Sequence, residues 1–148
     1  MASEVGAPVS RPSSPVPPAC REIKWRTTAF LITDSCRVPL EATVRYRSRS
    51  PFVIALTLHT PTGDTVWHLD RDMFLAGTEK PVGIGEVRIS PAPYDRLVLR
   101  LGDPAHAALI SLGRGPALRW LNTTYTVVPA GTESSHIDWR PLLDVLTD

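Results

Sequence analysis

Cysteine is scarce in this chain: its 148 residues include two, Cys20 and Cys36. Their spacing matches neither zinc ligation nor a CxxC redox pair, which argues against a disulfide scaffold or thiolate metal centre. Two free thiols in a reducing compartment are expected. Long hydrophobic runs are also missing. No stretch approaches the roughly 20 apolar residues of a membrane span, and the N-terminus has neither the basic start nor the apolar run of a signal peptide. A cytoplasmic chain without membrane insertion is therefore expected, in which the sequon Asn122-Thr123-Thr124 stays unmodified. Charge of one sign is lacking too. Sixteen Lys and Arg face fifteen Asp and Glu, for a net charge of +1, whereas a dedicated nucleic-acid binder is strongly basic.

The marks of catalysis are equally thin. Gly83-x-Gly85 lacks a third glycine and leads into a strand, so no helix N-terminus is aimed at a phosphate. Ser111 lies in LISLG, without the first glycine of a nucleophile elbow. His59, His68, His106 and His136 show no HxH or HExxH spacing. No acid, base and nucleophile set emerges. The expectation is no enzyme, no catalytic residue, no metal and no cofactor.

What is present describes a globular chain: 43% of the residues are hydrophobic, enough for one domain with a substantial core. Fifteen prolines are unevenly spread, with Pro8, Pro12, Pro15, Pro17 and Pro18 near the start. Residues 1–20 read as a disordered or polyproline-II tail, and 21–148 as the folded domain. Ile23 to Thr33, Val38 to Tyr46 and Phe52 to Thr60 alternate or run apolar as strands, separated by short turns. Pro61-Thr62-Gly63-Asp64 turns into Thr65 to Leu69, completing an antiparallel meander.

The stretch from Thr65 to Pro91 organises the rest. Asp70 occupies an N-cap position. Met73, Phe74 and Ala76 make the apolar stripe of a short helix, and Gly77 reads as its left-handed C′ stop. Pro81 forbids further helix, Gly83 and Gly85 allow a turn or bulge, and Glu86 to Ile89 alternates as a strand that Pro91 ends. Tyr94 to Leu101 and Ala107 to Leu112 follow as strands. Pro116 to Val127 reads as a helix, and Asp138 caps a last helix, Trp139 to Thr147. The fold class is α+β: six to seven antiparallel strands in twisted sheets, a short central helix and two C-terminal helices.

Trp67, Arg71, Asp72, Gly77, Pro81, Gly83, Gly85 and Val87 form an ordered, gapless pattern that resembles the signature of the SsgA-like proteins, sporulation and cell-division regulators of filamentous actinomycetes. Met73-Phe74 replaces the family's paired leucines, Glu86 its aspartate, and Ser50-Pro51-Phe52 stands where an Asp-Pro-aromatic is usual. Pro129, Gly131, Glu133 and Asp138 extend the likeness, which spans Ile23 to Leu146. The resemblance implies a fold similar to the whirly-type single-stranded nucleic-acid binders and a homotrimer. It implies a non-catalytic role in septum-site selection, septation and cell-wall remodelling, with FtsZ or other SsgA-like proteins as partners and the division septum as location. Single-stranded nucleic-acid binding is the alternative, against which the near-neutral charge argues.

Two groups are candidate contact residues. Arg45, Arg47 and Arg49 recur at period two, lining one face of a strand and its end, and suit a phosphate or an acidic protein surface. A solvated strand face is the ordinary account of them. Asp70 and Asp72 form an acidic corner, for which favourable charge at a helix N-terminus is sufficient explanation.

Overall fold

A computed structural model describes residues 16–146. Its strands are β1 (Glu22–Ile32), β2 (Arg37–Arg47), β3 (Val53–Thr60), β4 (Gly63–Asp70), β5 (Val82–Ile84), β6 (Val87–Ala92), β7 (Arg96–Leu101) and β8 (Ala108–Gly113). Helix α1 (Arg71–Gly77) follows β4, α2 (Arg114–Val127) follows β8, and a short 3-10 turn (Glu133–His136) precedes α3 (Arg140–Leu146). The strands make one antiparallel sheet in the order β4-β3-β2-β1-β8-β7-β6-β5. The class is α+β, with eight strands in place of the six to seven expected. The additional strand is β5, whose three residues are too few to alternate visibly. The first fifteen residues of the expected tail, and Thr147 of the expected last helix, lie outside the described residues.

Strand β1 joins two halves of this sheet. It pairs with β2 along its whole length, from Glu22↔Arg47 to Ile32↔Arg37. With β8 it pairs only from Phe30↔Ser111 to Ile32↔Leu109. The period-two pattern decides which face is covered. Val44, Tyr46, Ile54, Leu56 and Leu69 of the first half are buried together with Ile89, Leu97, Leu99, Ile110 and Leu112 of the second. Each fully buried side chain of this size contributes about 1.5–3 kcal/mol. Phe74 of α1 and Leu121 of α2 complete the same core. Trp120 of α2 stacks on Trp25 of β1, ring centroids 6.3 Å apart.

The helix signals are met by different physics. Asp70 caps α1 as expected, its carboxylate accepting from the Met73 amide at 2.8 Å. Gly77 is not a left-handed stop: it is the last helical residue, and the left-handed glycines among the described residues are Gly63, Gly85, Gly102 and Gly131. A Cβ on Gly77 would lie 2.5 Å from Ile89 Cγ2, so glycine is needed there to let α1 approach β6. Helix α2 starts two residues before Pro116, and its Gly113 N-cap has no side chain to offer. Asp95 supplies the cap from the β6–β7 turn, its backbone oxygen accepting from Arg114 N at 2.8 Å and its carboxylate from Gly115 N at 3.1 Å. Tyr94 and Asp95 hold positive φ of 64° and 58° in that turn. Asp138 precedes α3, accepting from the Arg140 amide at 3.1 Å.

Candidate functional site

The uncovered face of β1 to β4 carries three polar rows fixed by strand register. Lys24, Arg45, Ala55 and His68 make one, and Arg26, Thr43, Thr57 and Val66 the next. Thr28, Glu41, His59 and Asp64 form the third. All of these but Thr28, Ala55 and His68 line an open trough of about 630 Å³. Arg45 and Arg47 both lie on this face, as period two requires, but they are not free cations. Glu22 is 2.6 Å from Arg47 Nε and 3.4 Å from Arg45 Nε, with Lys24 at 3.6 Å. The hydrogen bond from Arg47 holds the Glu22 carboxyl below its ordinary range, against the opposing effect of burial. Arg49 lies past the end of β2 and makes a long ion pair with Asp138 at 3.9 Å. Asp138 in turn is held at a pKa of about 2, first by the Arg140 side chain.

His59 bridges Asp64 and Thr43, with Nδ1 2.9 Å from the carboxylate and Nε2 2.9 Å from the hydroxyl. The order of groups is that of a nucleophile, base and orienter. Both β2 and β3 are paired on each side, however, so their amides are committed to the sheet and offer no oxyanion donors. The network braces three strands, β2, β3 and β4.

The acidic corner is engaged within the chain. Asp70 is spent on its cap, and Asp72 accepts from Tyr125 Oη at 2.6 Å. Burial, then this hydrogen bond, raises the Tyr125 pKa. Arg71 between these aspartates is 1% exposed. Its guanidinium meets Glu133 at 2.9 Å and donates to the Thr124 and Val128 carbonyls at 3.1 and 2.9 Å. It lies 3.9 Å from the Tyr125 ring centroid and 5.0 Å from that of Tyr46. The Glu133 carboxylate also accepts from Gly131 N at 2.8 Å. Sequence reasoning missed this node. The available signal was spacing, since Arg71, Phe74 and Gly77 share the buried side of α1. Among the described residues, no group of three or more His, Cys, Asp or Glu could hold a metal ion, and no helix is long and apolar enough to cross a membrane.

Residues 40–133 match the family model described as Streptomyces sporulation and cell division protein, SsgA. The sporulation-specific cell division protein SsgB of Frankia casuarinae is 37% identical over 113 residues, 74% of this chain and 79% of that protein. Its counterpart in Salinispora tropica is 32% identical over 111 residues, 71% of this chain and 78% of that protein. The crystal structure of an SsgA-like sporulation-specific cell division protein from Thermobifida fusca superposes with a TM-score of 0.77 at 27% identity, over 85% of this chain and 96% of that one. A structure solved in a study of SsgB mutations and longitudinal cell division during sporulation of Streptomyces coelicolor gives 0.74 at 25% identity, over 80% of this chain and 97% of that one.

Proposed function

The chain belongs to the SsgA family of sporulation and cell division proteins, and from that premise we propose that it is a non-catalytic regulator of sporulation-specific septation. It works through contacts with other proteins at the septum, FtsZ or further SsgA-like proteins among them. The observation that carries this reading is where the signature residues go. Arg71, Asp72, Gly77 and Glu133 are spent on a buried ion pair, a hydrogen bond from Tyr125 and a close helix approach. The residues shared with the family thus hold the fold, and recognition falls to the open sheet faces.

Self-association as a homotrimer belongs to the same proposal. Helix α3 has no buried residue, and its Leu142, Leu143 and Leu146 stand exposed beside Trp139. An apolar helix of this kind supports a contact between copies. The experiment is deletion of the gene in a sporulating actinomycete, with septa counted along aerial hyphae. Altered septum number or spacing, restored by the wild-type chain, is expected. Unchanged septation would remove the proposal.

A further inference from the structure

The second half of the sheet has an uncovered face of different character. Register places Arg88 directly opposite Arg100, Arg100 opposite Leu109, Leu109 opposite Ile32 and Ile32 opposite Arg37. One continuous row therefore runs across five strands, about 19 Å at ~4.8 Å per strand. The next row holds Ser90, Val98, Ser111, Phe30 and Pro39. Beyond it Arg96 stands opposite Ala92, its guanidinium 5.4 Å from the Phe30 ring centroid. These rows contain no carboxylate. Glu86, in the turn ahead of Arg88, forms none of the ion pairs among the described residues, and neither do Arg37, Arg88, Arg96 or Arg100.

Like charges directly opposite on neighbouring strands destabilise a sheet, and Arg88 and Arg100 keep that arrangement without a counter-charge. Arg100 Nε and Arg96 Nη2 are buried without a hydrogen-bond partner among the described residues, as is Arg45 Nε on the first half-sheet, while Arg96 Nε donates to Ser111 Oγ at 2.8 Å. On the first half-sheet, by contrast, Glu22 alone meets Lys24, Arg45 and Arg47. The unanswered donors are all arginines, whose planar guanidinium binds carboxylates in pairs and tolerates desolvation better than an ammonium. Apolar side chains lie between them, with Leu109 exposed and Phe30, Val98 and Ile32 half-buried. Arginine among apolar and aromatic groups is the composition of protein interfaces. A net charge of +1 does not suit a polyelectrolyte.

We infer that this face, from Arg37 across to Arg88, docks an acidic segment of a partner protein whose carboxylates alternate with apolar residues. The row's length fits about 13 residues of helix or about 6 of extended chain. The inference rests on the chain acting through protein contacts, as proposed above.

The test uses the full chain and a fluorescein-labelled helical peptide of about 13 residues, with glutamates at i, i+4 spacing and leucines between them. Its glutamine analogue and an oligothymidine serve as comparison probes. The acidic peptide should bind in low salt and the other two should not. R88E should weaken binding by about tenfold or more while raising the melting temperature, because the introduced carboxylate would face Arg100. R37E should weaken binding without that thermal gain, and R26E, on the same side of the sheet but in the trough of the first half, should leave binding unchanged. Peptide binding that survives R88E and R37E, or no binding to wild type, would overturn the inference. So would oligothymidine binding lost in the same variants, which would make the face a nucleic-acid surface. Septal localisation of the wild-type chain separates the two readings: if it persists while these arms fail, only the docking face is wrong.

Discussion

Replacing Glu133 by glutamine removes the counter-charge of Arg71 while keeping the side chain's shape. Arg71 is 1% exposed and the Glu133 side chain 8%, so solvent cannot substitute for the lost carboxylate. Two donors converge on that carboxylate, Arg71 Nη2 at 2.9 Å and Gly131 N at 2.8 Å. A glutamine offers one acceptor oxygen, leaving one of the two donors against an NH₂ group. Breaking a buried ion pair from one side costs about 3–5 kcal/mol, a large part of the roughly 5–15 kcal/mol that holds a domain together. In urea the midpoint should fall with the slope unchanged, and the melting temperature should drop by roughly 6–20 °C. The sign with pH is definite. The Glu133 carboxyl is lowered by its own backbone amide first, then, against burial, by Arg71. Its contribution is therefore complete above the unfolded carboxylate pKa of about 4.3 and is lost as pH falls through the lower folded value. E133Q should flatten that acid limb. A loss below about 0.5 kcal/mol, the range of ordinary surface changes, would refute the buried pair. So would additivity in a cycle with R71M, where coupling toward the upper end of about 0.5–3 kcal/mol is expected.

G77A should destabilise by about 1–3 kcal/mol, because its methyl would sit 2.5 Å from Ile89 Cγ2; chemical denaturation measures it. D70A should cost about 1 kcal/mol through the Met73 amide it leaves uncapped, with D70N recovering most of the loss. Y125F removes the donor to Asp72 and should cost about 0.5–1.5 kcal/mol while leaving the Arg71 contacts in place. Exchanging Leu142 and Leu143 for serine should shift the sedimentation coefficient toward that of a monomer with the fold's circular dichroism intact, since neither is buried within the chain.

What the sequence revealed follows from the range of the forces involved. The Asp70 cap was legible because donor and acceptor are three residues apart. The meander was legible because alternation in β2 and β3 is continuous. Gly77 was misread because a glycine after a helical stripe signals a left-handed stop, whereas its reason is a contact with β6 that only the fold creates. The central arginine was passed over because its partner lies 62 residues away. Arg45 and Arg47 were correctly placed on one face, but their neutralisation by Glu22 comes from the neighbouring strand. Arg88 and Arg100 gave no warning either: each alternates normally on its own strand, and only register sets them opposite.

The most direct test of the account is imaging. A fluorescent fusion of the full chain, expressed in a sporulating actinomycete, should be followed beside FtsZ through septation. The account predicts ladders or foci that coincide with the division sites. A diffuse or nucleoid-following signal throughout septation would contradict it.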